Sequence, residues 1–210
     1  MGKGVCGTFA AAAAAVSLAV GGTAAAADPV ATHQEWLPRV VPAGVALPDP
    51  ADIPLIAVIE TGFDDRHPDM LGGWITQARP SPVPHRSDRR AVADYLDGIA
   101  HGTAVAGVIG APRDGLGAEG VLPGARVRVY GGDGTCADTA AAIRQAVRDG
   151  ARVINASYGF EGPGCLQHHD ATGFAFGSGA IVVASAGNER SSNARSQPAN
   201  DLHVLTGAAL

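Results

Sequence analysis

Aromatic side chains are scarce in this chain, with two Trp, three Tyr and five Phe among 210 residues, whereas glycine alone occurs 29 times. So few rings cannot fill a wide aromatic sandwich; small residues suit helices packed close against a sheet. Charged residues are also few, 17% of the chain with a formal balance of −5, which offers no basic stripe for nucleic acid. Of three cysteines, Cys6 lies in the first apolar stretch, which leaves Cys136 and Cys165. No Cys and His spacing forms a zinc motif, so no metal site is expected. Beyond residue 27 there is no long apolar run of the kind that spans a membrane. The whole chain is 46% hydrophobic, enough to bury the core of one α/β domain.

The chain opens Met1-Gly2-Lys3, continues as an Ala-rich apolar stretch through Val20, and reaches Ala25-Ala26-Ala27 before Asp28. A basic start, an apolar middle and a small-x-small end read as a signal peptide over 1–27, and hence as a secreted, extracellular protein. A short membrane anchor or a buried Ala-rich helix is the alternative. In an exported chain the even pair Cys136 and Cys165 points to a disulfide, with two free buried thiols as the alternative. Residues 28–52 hold Pro29, Pro38, Pro42, Pro48 and Pro50 without a sustained period, and read as an extended arm preceding a domain over 53–210.

Leu55 to Ile59 is a continuous apolar run, the mark of a strand covered on both faces. Arg126–Tyr130, Arg152–Ala156, Ala180–Ala184 and His203–Thr206 read as further strands. Between them, small apolar residues from Thr103 to Ala111 predict a helix starting just after His101. Asp138 is placed to cap another whose inner face is Ala142, Ile143, Ala146 and Val147, stopped by Gly150. Gln77 to Arg90, rich in Pro, Arg and Ser, reads as a surface loop, and so does the pair His168-His169. Alternating strands and helices predict a mostly parallel sheet with helices on both faces, with chemistry at the carboxyl ends of the strands.

Those ends carry a distinctive set. The first strand stops at Glu60-Thr61-Gly62, followed by His67-Pro68-Asp69-Met70; His101-Gly102-Thr103 opens the next landmark. Later strands run into Ser157-Tyr158-Gly159 and into Ala186-Gly187-Asn188. A carboxylate, an imidazole and a carboxamide fit acyl transfer, which needs an orienting acid, a proton shuttle and an oxyanion donor. Taken singly, His101 also reads as a helix-capping residue, Asn188 as a turn former and Glu60 as a strand-end charge. A dinucleotide fold would need a glycine fingerprint after the first strand, and Glu60-Thr61-Gly62-Phe63 lacks it.

The runs ETGFDDRHPDM, HGTAVAG and SAGNE, with GVLPGARVRVYGGDG and GARVINASYG between them, resemble the motifs of the subtilase family of serine peptidases in family order. The resemblance extends from Ile53 to Ala209. It implies a subtilisin-like α/β fold, incomplete at its C-terminal side, and a serine endopeptidase acting on an extended peptide or protein chain, working as a monomer. Glu60 then takes the place of the orienting acid, His101 of the general base and acid, and Asn188 of the side-chain oxyanion donor. Gly131, Gly132, Asp133 and Gly134 on one side, and Ser157, Tyr158 and Gly159 on the other, flank the peptide by strand addition, with the Cys136–Cys165 bridge beside this groove. In some relatives the residue at the position of Asp69 contributes to calcium binding. Here Asp69 is the one candidate ligand, no other cofactor is expected, and calcium wants six to eight oxygens.

Three departures accompany the resemblance. The acid is Glu60 where the family has Asp, one methylene longer, which implies a strained pairing with His101. Only the Pro-rich arm stands where secreted relatives carry a propeptide domain. No Gly-Thr-Ser, the family's nucleophile motif, occurs in the 210 residues, so the chain reads as a truncated, inactive peptidase. The alternative is a secreted pseudopeptidase that binds peptides without cleaving them.

Overall fold

A computed structural model of the chain describes residues 34–83, 87–132, 134–161, 164–188 and 196–208. The signal-peptide reading, the first residues of the arm and Asp133 lie outside the described residues. Among the described residues no helix is long and apolar enough to cross a membrane. The arm forms a single helical turn, α1 (Leu37–Val40), with a proline in its first turn. Its start is fastened to the body by Gln34, whose amide donates to Glu119 O at 2.7 Å and accepts from Glu119 N at 2.7 Å.

The body is one six-stranded sheet in which every paired neighbour is parallel. Its strands are β1 (Ile56–Ile59), β2 (Ile75–Arg79), β3 (Val127–Tyr130), β4 (Val153–Ala156), β6 (Ile181–Ser185) and β8 (Val204–Gly207), in the order β2-β3-β1-β4-β6-β8. A small antiparallel pair, β5 (Phe160–Glu161) with β7 (Ser196–Gln197), lies apart from it. All four residues of β1 are buried, as its position inside the sheet demands. Ile56 and Val58 join a core with Val127, Val129 and Ala106. Ala57 and Ile59 point the other way, into a second core with Ile143, Ile154, Ala175 and Val182. Helix α2 (Arg89–Gly110) covers the first face; α3 (Cys136–Arg148) and α4 (Leu166–Gly177) cover the second. The expected architecture, parallel with helices on both faces, is what the chain adopts.

Four local expectations need correction. Residues 75–79, partly assigned to a loop, form the edge strand β2, whose Thr76, Gln77 and Ala78 are exposed; an edge strand facing water carries no apolar period to read. Helix α2 begins at Arg89, not after His101, with the Asp88 carboxylate accepting from Ala91 N at 3.0 Å. The cap of α3 is Thr135, whose hydroxyl accepts from Asp138 N at 3.2 Å, so Asp138 lies inside the first turn. His168 and His169 sit on α4, and His168 is buried with Ala171, Thr172 and Ala175. That stripe has helical spacing but no large apolar side chain, which hid it.

The contact between α2 and the turn after β1 is unusually close. A Cβ added at Gly98 would fall 2.2 Å from Thr61 Oγ1, and one at Gly102 would fall 2.0 Å from the Gly62 carbonyl oxygen. Four residues apart, these glycines share one helix face. The backbone at Gly62 cannot swing aside as a side chain tip would. Gly102→Ala should therefore destabilise the chain by about 1–3 kcal/mol, as overpacking does. At Gly107 the new methyl would meet only Met70 Cε at 3.5 Å, so Gly107→Ala should be neutral or stabilise by up to about 1 kcal/mol. Urea unfolding of both variants checks the contrast; equal midpoints would contradict it.

Candidate active site

Glu60 is the first residue beyond β1, its amide bonded to Tyr130 O at 3.2 Å. From there its carboxyl turns inward and is only 8% exposed, with Oε1 2.9 Å from His101 Nδ1. The His101 side chain is 53% exposed, so a buried acid grips one nitrogen of an imidazole that otherwise stands in solvent. Thr103 tightens the same junction: its hydroxyl accepts from Asp64 N at 2.9 Å and donates to Ile99 O at 2.8 Å. The longer acid thus comes within contact distance of the ring.

Burial pushes the Glu60 carboxyl above its ordinary range, against the pull of the nearby His101 charge, its hydrogen bond and the Thr61 amide. An acid desolvated in this way gains most from a cation beside it.

A recess of about 160 Å³ opens beside Glu60, and Gly131, Gly132, Gly134 and Tyr158 line it. The predicted groove residues on β3 and β4 are thus brought together with the acid, except that Ser157 and Gly159 do not line the recess and Asp133 is outside the described residues. Ser157 instead bonds Asn155, accepting from its Nδ2 at 2.9 Å. Asn188 stands in the turn after β6, two strands from β1 on the same carboxyl edge, with its side chain exposed.

Sequence reasoning missed Asp138 and Thr139, which also line the recess. The signal was available: a helix beginning directly after the Gly131–Gly134 run presents its first turn to that run. Asp138 is ion-paired with Arg79, and a Cβ on Gly132 would overlap its carboxylate. Gly131 is equally confined, since its Cβ would fall 2.5 Å from Ser81 N. Below the recess, Thr139 Oγ1 lies 2.6 Å from His168 Nε2, and the Tyr158 ring packs against that of His168, centroids 5.9 Å apart. Burial keeps Tyr158 protonated, its phenol pushed far above the usual range, with the Glu60 charge adding to that effect. Burial likewise lowers the His168 imidazole, with Asp201 pulling the other way.

Cys136 and Cys165, at the starts of α3 and α4, have Cα atoms 6.4 Å apart, within bridging range. Asp69 is buried, and its Oδ2 accepts from Ala118 N at 2.9 Å while its carbonyl accepts from Trp74 Nε1 at 3.1 Å. It belongs to neither of the two clusters of ligand-bearing side chains among the described residues. That bond ties the turn after β1 to the loop carrying Ala118.

The profile of the subtilase family matches residues 52–208. The chain belongs to the subtilase family. Among curated proteins, this subtilase is similar to fervidolysin from Fervidobacterium pennivorans, 36% identical over 167 residues, which are 74% of this chain and 23% of that protein. It is also similar to subtilisin E from Bacillus subtilis, 35% identical over 147 residues, 67% of this chain and 36% of that one. The chain therefore spans well under half the length of these relatives. Among solved structures, proteases from Pseudoalteromonas arctica superpose with a TM-score of 0.65 at 25% identity, covering 88% of this chain and 65% of theirs. The protease domain of PatA superposes with a TM-score of 0.58 at 27% identity, covering 72% and 56%.

The buried acid gives this subtilase a pH signature. A carboxyl whose folded-state pKa lies above its unfolded value contributes most below the unfolded value, and loses that contribution as pH rises through the folded one. The stability of the chain relative to Glu60→Gln should therefore fall as pH climbs from 4.5, the ordinary value for Glu. Urea midpoints of both proteins across that range test this; a relative stability that rises with pH would contradict it.

Proposed function

We propose that this chain supplies the acid, the base and the peptide groove of a secreted serine-type endopeptidase. The observation that supports this most directly is the 2.9 Å contact between His101 Nδ1 and the buried Glu60 carboxylate. With Nδ1 held by Glu60, Nε2 is the nitrogen that takes the proton of an attacking serine hydroxyl and returns it to the leaving amine. Asn188 stabilises the oxyanion from the turn after β6, on the same edge of the sheet. An extended peptide adds as a strand between the Gly131–Gly134 and Ser157–Gly159 segments, and a Cys136–Cys165 disulfide holds the walls of that groove together.

The 210 residues contain no Gly-Thr-Ser, and taken by themselves they bind peptide without cleaving it. A site lacking the nucleophile retains only about 10³–10⁴ over water. One experiment tests base, acid and groove together. The purified chain should neither hydrolyse a fluorogenic peptide nor label with a serine-directed phosphonate, whereas supplying a serine-bearing segment from a family relative should yield turnover. In that active assembly Glu60→Asp should lower kcat by about a hundredfold with little change in KM, because withdrawing the carboxylate by about 1 Å loosens His101 without touching substrate. Labelling of the chain alone, or a kcat raised by Asp, would overturn the proposal.

A further inference from the structure

On the side of α4 away from Thr139, His169 and two residues of the turn before β8 converge. His169 Nδ1 lies 2.8 Å from Asp201 Oδ2, and His203 Nδ1 lies 3.1 Å from Asp201 Oδ1. The ligand atoms of all three lie within 4.8 Å of one another, and the two imidazoles are stacked at a tilt, centroids 5.6 Å apart. The neighbours His168 and His169, about 100° apart around the helix, reach different partners. Each meets its own partners across the fold, which the sequence could not show.

We propose that His169, Asp201 and His203 form a binding site for a divalent transition cation of the zinc class. Two imidazole nitrogens and one carboxylate suit zinc and its neighbours and not calcium or magnesium, which want oxygen. A tetrahedral ion with bonds of about 2.0–2.1 Å sets its ligands roughly 3.3 Å apart; the two carboxylate–imidazole spacings of 2.8 and 3.1 Å need a small spread to admit it. Neutral imidazoles provide Nδ1 by moving its proton to Nε2, so no co-reactant is required. The carboxylate is already aimed, since Asp201 Oδ1 also accepts from His203 N at 2.9 Å and the side chain is only 8% exposed. Such fixed outer contacts orient a ligand before the metal arrives. Three protein ligands leave a fourth position for water or another small donor.

The ion would act as a clamp. It ties α4 to the segment carrying β7, which pairs with β5 just after Ser157–Gly159. In that segment the Gln197 carboxamide accepts from Cys165 N at 2.7 Å. Binding at His169 and His203 therefore braces one flank of the groove at a distance from Glu60 and His101, and does not depend on the peptidase reading.

Titration of the metal-free chain with Zn²⁺ alone, in calorimetry without reductant, should saturate at one ion per chain and raise the unfolding temperature. His169→Ala and His203→Ala should each weaken binding at least about tenfold, whereas His168→Ala should leave it unchanged. Because His169 is exposed and Ala favours helices, His169→Ala keeps the fold and decides the matter even where His203→Ala does not fold. Co²⁺ should give the visible bands of a nitrogen and oxygen site. No uptake of Zn²⁺, affinity unaffected by His169→Ala, or a thiolate-to-cobalt band placing the ion at Cys136, Cys165 and His168 would overturn the site.

Discussion

Helix α2 can lie against the turn after β1 only because positions 98 and 102 carry no side chain. Glycine costs a helix up to about 1 kcal/mol relative to alanine, and here that cost is offset by a contact no other residue permits. Everything at the acidic end of the site follows from it. The approach buries the Glu60 carboxyl, brings His101 within hydrogen-bonding distance, and lets Thr103 fasten the following loop through Asp64 N. A desolvated acid beside a half-exposed imidazole is then a consequence of backbone proximity.

The groove side obeys the same rule of small residues making room for polar ones. Gly131 and Gly132 let the β3 end run against Ser81 and Asp138, and Gly132 N is held by the Ser81 hydroxyl at 2.8 Å. Beneath, Tyr158, Thr139 and His168 form a buried polar layer where an aliphatic core would be cheaper in desolvation. Alanine dominates the packing of α3 and α4 against the sheet, so those helices sit close enough for the layer to connect. The sparse aromatic content of the chain is thus matched by a core whose shape comes from backbones at short range.

Much of this was legible in the residues. The apolar run at Leu55–Ile59 announced a strand buried on both faces, and five of the six sheet strands were located within a residue or two. Glu60 was picked out because chemistry collects where parallel strands stop, and the roles of His101 and of the glycines after β3 came from the resemblance to the subtilase motifs. What escaped has physical reasons. Edge strand β2 carries polar residues facing water; α4 buries a stripe of His, Ala and Thr that no hydropathy pattern marks; the first half of α2 is too solvent-exposed to show a period. The His169, Asp201, His203 cluster is a contact between elements far apart in sequence, which no local pattern encodes.

The central claim is that the α2 contact fixes His101 with Nδ1 turned to the Glu60 carboxylate. Long-range nitrogen–proton correlation spectra of the neutral imidazole read this directly. His101 is expected to hold its proton on Nδ1, and Glu60→Gln or Gly102→Ala to shift the ring toward the ordinary mixture of tautomers. A His101 protonated on Nε2, or one whose spectrum ignores both substitutions, would contradict it.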